Sequence, residues 1–362
     1  MAKDLPVDRR FDAYQDFVLA CKLVWTRELF PALHAQYDHA IAARRAAGAV
    51  VPQSAGEVAV LLQDNTLAQY FGWFERHLQR MKYSGWHGLA PHFAARRADL
   101  AAELQAGAGS DLLTLDPDLV APDYYVAVDI HQHPGGVGGD EVAGYVYERG
   151  ARTTTPLLDR DADLHHRFTR EVLARAGAAR RLVDLGCGFG KSTRPFYADH
   201  RGLDVTGVEL SVPCLKLAAR TAEQDQARNV RFHQADAAAT GLADGAYDVV
   251  TSTMLLHEMP PAHIERMLHE AHRLLAPGGL SIHLDFLTDD DPFRRFIHEG
   301  HSRRNNEPFM PMLNDMDLDG AHRRAGFTSV EVIAFEEMPG TLAPGFDAWR
   351  FPWAIIAARK PA

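Results

Sequence analysis

Three glycines at every second position, Gly186, Gly188 and Gly190, restrict the fold of this chain more than any other feature. They sit in the stretch Val183 to Lys191, VDLGCGFGK. The apolar run ahead of them reads as a buried strand and the residues from Lys191 as a helix start, giving strand, tight turn and helix. Glycine permits positive φ and leaves room where a Cβ would stand, while the free N–H groups of a helix start favour electron-rich atoms. A nucleotide-like ligand suits such a turn, although a glycine-rich turn by itself fits a purely structural role equally well.

The rest of the composition narrows the field. At 362 residues and 46% hydrophobic content, the chain can bury the core of one large domain or two ordinary ones. No apolar run reaches the length of a membrane span, and the opening MAKDLPVDRRFD lacks the apolar core of a secretion signal. The expectation is a cytoplasmic protein without a membrane partner. The 3 cysteines, Cys21, Cys187 and Cys214, form no CxxC pair, so neither a disulfide framework nor a thiolate metal site is expected. A net charge of −10 works against a phosphate-binding surface and hence against nucleic acid. A homodimer is compatible with the sequence.

Three regions follow in chain order. Residues 1–110 read as a helical cap: apolar residues from Phe11 to Tyr37 recur every three or four positions, with a break at Pro31, and the capping box Ser54/Glu57 opens a helix reaching Met81. Gly85 and Gly88 end it, and Ala90 to Ala106 is helix-favouring. The aromatic stripe of this region reads as core packing. Residues 111–160 form a glycine-rich connector carrying Tyr, His, Arg and Thr, expected to be irregular and to wall the substrate side. Residues 161–362 alternate: a helix from Asp161 to Ala176, then strands at Arg181–Leu185, Asp204–Leu210, Val230–Ala235, Tyr247–Thr253 and Leu280–Phe286 with helices near Lys191, Val212 and Ala262. Such alternation predicts an α/β fold with a parallel sheet covered on both faces. After a helix at Leu318–Ala325, strands Ser329–Phe335 and Trp353–Arg359 are joined only by a loop, which suits antiparallel pairing.

Ligands of open α/β sheets bind beyond the carboxyl ends of the strands, where three acids recur: Asp184, Glu209 and Asp236. A carboxylate about twenty residues beyond the glycine turn can accept both hydroxyls of a ribose. Singly, each acid also fits a solvated turn or a helix cap. With VDLGCGFG, VTGVELS, FHQADA, YDVVTSTMLLHEM and HRLLAPGG in this order, the segment from about Asp161 to the C-terminus resembles class I S-adenosylmethionine-dependent methyltransferases of the ubiquinone/menaquinone-methyltransferase-like small-molecule group. The resemblance implies a Rossmann-like seven-stranded sheet with an antiparallel last strand. It implies S-adenosylmethionine as cofactor, S-adenosylhomocysteine as product and a small organic acceptor, with a place in specialised metabolism. Gly186, Gly188 and Gly190 would then cradle the methionine part, Glu209 the ribose, and Asp236 with Ala237 the adenine side. Thr251, Met254 and His257 would face the transferred methyl, and Asp184, Cys187 and Leu210 complete the implied cofactor-binding set.

Methyl transfer from a sulfonium is an in-line displacement, so alignment and exclusion of water matter most, with a general base where the acceptor carries a proton. His257 is the first candidate base, and a structural histidine at a strand-to-helix junction is the competing reading. His131 and His133, two apart on the connector, are the second candidates; a metal-ligand role for the pair lacks a third ligand at a fixed spacing. Tyr145, Tyr147 and Arg152 could shape the acceptor site. Arginines and histidines in the late segment DFLTDDDPFRRFIHEGHSRRNNEPFMPML, His301, Arg303 and Arg304 above all, suit an anion or a solvated face. Two other readings stay open: a nicotinamide-dependent oxidoreductase, whose third glycine would fall at Lys191, and a cofactor-binding protein without catalysis.

Overall fold

The computed structural model describes residues 8–106, 109–154, 164–328 and 330–362. The chain starts with α1 (Arg9–Val24) and α2 (Phe30–Ala46), joined through a π-helical turn, Trp25–Leu29. The expected break at Pro31 is therefore absent. The Phe30 N–H reaches back five residues to the Trp25 carbonyl, and this wider turn absorbs the proline, which lacks an N–H, without ending the helix. α3 (Ala55–Leu62) opens on the expected cap, Ser54 Oγ accepting the Glu57 N–H at 3.3 Å while Glu57 Oε2 takes the Gln53 N–H at 2.6 Å. α4 (Thr66–Ser84), α5 (Leu89–Ala94) and α6 (Arg97–Ala106) complete this part. Its aromatic stripe packs as a core: the Trp25 ring stacks on Phe71 at 4.5 Å and its indole N–H donates to the Phe71 carbonyl at 3.1 Å.

The connector is more ordered than its glycines suggest. It forms β1 (Leu113–Thr114), α7 (Asp123–Val126), a single 3-10 turn at Ile130–Gln132 and α8 (Ala143–Ala151). α8 buries Tyr145 and Val146, and Gly144 lets its backbone meet another helix where a Cβ would stand 2.6 Å from the Pro213 carbonyl oxygen. The end of the connector and the first residues of the helix expected from Asp161 lie outside the described residues; that helix, α9, is described over Leu164–Ala176.

The remaining elements are β2 (Arg181–Leu185), α10 (Arg194–Asp199), β3 (Asp204–Glu209), α11 (Val212–Gln224), β4 (Val230–Gln234), β5 (Tyr247–Thr253), α12 (Pro261–Leu274), β6 (Leu275–Phe286), α13 (Pro292–Asn305), α14 (Met310–Asn314), α15 (Leu318–Ala325), β7 (Val330–Ala334) and β8 (Trp353–Arg359). Ser329, where the sixth expected strand begins, lies outside the described residues. The sheet runs β1-β4-β3-β2-β5-β6-β8-β7, parallel except that β8 pairs antiparallel with both neighbours. It has 8 strands, not seven, because Leu113 and Thr114 add to the edge beside Phe232 and His233. The order reverses at β2, the first of the central strands, so the glycine turn lies at the topological switch point where a crevice opens. The late segment read as an arginine-rich insertion is α13, capped by Asp291 and packed on α3 and α4. It ties the helical cap to the sheet.

Candidate active site

Two adjoining clefts open beyond the carboxyl ends of the parallel strands. The smaller, about 70 Å³, is lined by Glu209, Leu210, Ala235, Ala237, Tyr124, Tyr125 and Phe309 among others. The larger, about 530 Å³, reaches under the helical cap. Gly186, Gly188, Tyr147, Thr253, Met254 and Glu258 line both, so the clefts meet at the glycine turn and the tip of β5.

The turn works as its glycines require. Gly186 and Gly188 have φ of +68° and +52°, and a Cβ on Gly188 would stand 3.4 Å from the Tyr147 ring. Gly190 lines neither cleft, and its missing side chain lets the turn pack on α11, where a Cβ would come 3.0 Å from the Ala218 Cβ. Asp184 also lines neither. It is buried and accepts the Ser192 and Thr193 hydroxyls at 2.9 and 2.7 Å, which fastens the far side of the turn to β2. Burial outweighs these hydroxyls and raises its carboxyl to about 6. Cys187 lines the larger cleft, its buried thiol pushed well above the ordinary value.

Glu209 spans the mouth of the turn, Oε2 accepting the Gly188 N–H at 3.0 Å and Oε1 the Ser211 N–H at 2.9 Å. Asp236 turns away from the cleft to His263 Nε2, 2.8 Å off, while Ala235 and Ala237 form the wall. Thr251 is buried in the sheet opposite Asp184, and Thr253, one strand repeat further on, reaches the cleft. Met254 follows with φ of +58°.

The three histidines separate sharply. His257 is buried at the wall of the larger cleft, with Nδ1 2.6 Å from Asp285 Oδ1. Nε2 makes no hydrogen bond among the described residues; Glu258 Oε1 lies 4.0 Å from it. Burial favours the neutral ring, but the charge and hydrogen bond of Asp285 win and the pKa rises. Asp285 is itself fixed by the N–H groups of Leu256 at 2.7 Å and Phe286 at 2.8 Å.

His131 is held by carboxylates at both ring nitrogens. Its Nδ1 lies 2.8 Å from Glu307 Oε1 and its Nε2 3.0 Å from Glu258 Oε1, so both nitrogens donate and the ring is an imidazolium. Against the cost of burial, these carboxylates raise its pKa to about 10. They also hold it at φ +57°, a conformation costing about 1 kcal/mol for a non-glycine residue. His133 lines neither cleft; it stacks on Tyr83 at 5.3 Å, and burial, with the charges of His131 and Lys82, lowers its pKa to about 4.

The expected acceptor-side residues divide in the same way. Tyr147 and Arg152 line the larger cleft. Tyr145 does not; its hydroxyl accepts from Arg220 at 2.8 Å, joining α8 to α11. His301 lines the cleft with its Nδ1 on Glu75. Arg304 is spent on the same Glu75 and lies over the Phe71 ring, and exposed Arg303 pairs with Glu299 one helical turn back at 3.6 Å. Neither arginine lines a cleft: Arg304 is held by Glu75 against the Phe71 ring, and Arg303 is exposed. Against desolvation, Arg304 and His301 lower Glu75 to about 2, and His131 does the same for Glu307.

Sequence reasoning missed Asp285, Glu258, Glu307, Tyr124, Tyr125 and Phe309. Asp285 had a signal: a charge inside the apolar strand LSIHLDF, which a buried strand tolerates only with partners. Glu258 and Glu307 had none, since they meet only through His131 of the connector. Among the described residues no cluster of His, Cys, Asp and Glu is arranged to hold a metal ion.

Residues 182–279, the sheet centre that builds this site, match the family model described as a methyltransferase domain. This stretch of the chain is a methyltransferase domain. Its relatives include the demethylmenaquinone methyltransferase of Thermus thermophilus, 37% identical over 130 residues, which cover 36% of this chain and 58% of that protein. The ubiquinone biosynthesis O-methyltransferase of Psychrobacter arcticus is 30% identical over 174 residues, 45% of this chain and 65% of the relative. The chain thus spans less than two thirds of the length of these relatives. A solved structure of the Burkholderia thailandensis 1,6-didemethyltoxoflavin-N1-methyltransferase, with bound 1,6-didemethyltoxoflavin and S-adenosylhomocysteine, is similar at 21% identity and a TM-score of 0.44, covering 68% of this chain and 94% of that one. The helical cap lies outside the matched methyltransferase domain.

Proposed function

We propose that this protein is an S-adenosylmethionine-dependent methyltransferase that acts on a small organic molecule in the cytoplasm. One observation carries the reading: within a methyltransferase domain, the glycine turn and Glu209 face a cleft that continues past Met254 to the Nε2 of an Asp-held histidine. The donor set fits the cofactor. Glu209 offers a carboxylate to a ribose, Ala237, Tyr124 and Phe309 offer flat apolar walls to an adenine, and Gly186 and Gly188 leave space for the amino acid end. When bound, that cofactor would supply an electrophilic methyl group.

The chain's own residues then have definite tasks. The connector and helical cap close the strand ends and keep water out, with Tyr147 and His131 over the turn. Asp285 holds the Nδ1–H of His257, leaving the Nε2 lone pair to take the proton of the attacking hydroxyl, amine or carbon. The His131–Glu258–Glu307 cluster fixes the connector against α13 and the tip of β5. Three free cysteines suit a reducing compartment, and the net charge of −10 favours a small acceptor over nucleic acid.

The reading is tested by calorimetric titration with S-adenosylmethionine, S-adenosylhomocysteine and NAD(P)H, followed by labelled-methyl transfer to a panel of small acceptors and to bulk tRNA. Binding of nicotinamide cofactors in place of S-adenosylhomocysteine would select the oxidoreductase reading. Methylation of tRNA would overturn the small-molecule one.

A further inference from the structure

We propose that the end of the larger cleft walled by Lys22 and Lys82 binds a carboxylate of the methyl acceptor, and that the acceptor is an apolar or aromatic carboxylic acid. This rests on the methyltransferase reading above. Lys22 projects from α1 and Lys82 from α4, and both line the cleft under the helical cap. Among the described residues neither ammonium has a carboxylate oxygen within 4.0 Å. Lys22 Nζ donates only to Gln79 Oε1 at 3.3 Å and the Thr153 carbonyl at 3.2 Å. Lys82, 1% exposed, has only the face of the Tyr83 ring, 4.8 Å away.

The acids that could neutralise the pair are already engaged. Glu75 is taken by His301 and Arg304, and Glu307 by His131. Burying an ammonium such as that of Lys82 without a carboxylate partner is costly, and the half-buried ammonium of Lys22 in the same cleft adds to the cost. Desolvation accordingly lowers Lys22 to about 8, and desolvation together with the charge of Lys22 lowers Lys82 well below its usual range. An entering carboxylate would reverse that cost by giving both amines the counter-charge they lack and Lys82 an acceptor. Two point-like ammonium groups from different helices suit the two oxygens of one carboxylate better than they suit an extended polyanion.

The remainder of the wall says what the acid carries. Leu19, Leu164, Phe286 and Phe351 line the same cleft and suit an apolar or aromatic body. Glu258 lies at the junction with the smaller cleft, beside His257. Two lysines and a carboxylate in one cleft give it a charge pattern that orients an anionic ligand, its carboxylate toward Lys22 and Lys82 and away from Glu258.

The test uses the full chain and two simple probes, benzoate and its uncharged amide, benzamide, titrated calorimetrically with and without saturating S-adenosylhomocysteine. Wild-type protein should bind benzoate at least about tenfold more tightly than benzamide. Lys22→Met and Lys82→Met should each erase most of that preference while S-adenosylhomocysteine affinity changes by less than about twofold. Equal binding of the two probes, no benzoate binding by a protein that binds S-adenosylhomocysteine, or a preference that survives both substitutions overturns the proposal. The wild-type comparison needs no variant to fold. Benzoate preference without any S-adenosylhomocysteine binding would instead sink the methyltransferase reading and leave a carboxylate site in search of another reaction.

Discussion

His257 Nδ1 and Asp285 Oδ1 lie 2.6 Å apart in the protein interior, with the Leu256 and Phe286 N–H groups also on that carboxylate. The carboxylate accepts, so Nδ1 carries the proton and Nε2 is left to face the cleft. Asp285→Asn would offer an amide that can donate to Nδ1 and stabilise the other tautomer. Turnover should fall about 100-fold with S-adenosylhomocysteine affinity unchanged. The pH profile adds a second readout. Because Asp285 raises the His257 pKa above the ordinary 6.5, the wild-type rate should decline as pH falls through that raised value. In Asp285→Asn the acid limb should move to lower pH, and a limb that stays put would remove His257 as the base.

Glu209 is the second point of test. Its carboxylate joins the glycine turn to the tip of β3 through the Gly188 and Ser211 N–H groups. Glu209→Gln keeps the size and removes the charge, so S-adenosylhomocysteine binding should weaken by about 1.5–3 kcal/mol, the range for a hydrogen bond to a charged group. Calorimetry on a variant with an unchanged melting curve checks this; unaltered affinity would detach Glu209 from the cofactor.

The glycines of the turn should respond differently to the same substitution. At Gly190 φ is +82° and a new Cβ meets Ala218 at 3.0 Å, so Gly190→Ala should destabilise the fold by about 1–3 kcal/mol. At Gly188 the Cβ would meet only the Tyr147 ring, at 3.4 Å, on the cleft side. Gly188→Ala should therefore lose more cofactor affinity than stability. Urea denaturation and calorimetry on both variants separate the two effects.

The buried charges around His131 set a pH window for stability. His131 is raised to about 10 by Glu258 and Glu307, so its contribution is complete below about 6.5 and is lost as pH rises through about 10. Glu75 and Glu307 are lowered to about 2, so theirs is complete above about 4.5 and is lost as pH falls toward 2. Between these limits the cluster should give a plateau in urea-derived stability. Glu307→Ala, which strips His131 of one buried partner, should cost about 3–5 kcal/mol at pH 7 and flatten the alkaline fall. An alkaline limb unchanged in that variant would contradict the assignment.

What the sequence determined by itself is local. The glycine spacing, the apolar strand before it and the acids at successive strand ends depend on neighbours a few residues away, so the strands at Arg181–Leu185, Tyr247–Thr253 and Trp353–Arg359 have the bounds their pattern predicts. Helix α8 was hidden because its glycines are read as loop until Gly144 is seen to pack on the Pro213 backbone. Edge strand β1 was hidden because two residues carry no periodicity and become a strand only beside Phe232 and His233. The roles of the charged residues were decided by tertiary structure alone. His131, His133 and His257 are one residue type in exposed-looking stretches, yet two carboxylates make the first a fixed cation, burial against Tyr83 keeps the second neutral, and Asp285 from another strand orients the third. A side chain's protonation depends on charges within a few ångströms, and in this fold those charges come from residues as far away in sequence as Glu307 is from His131.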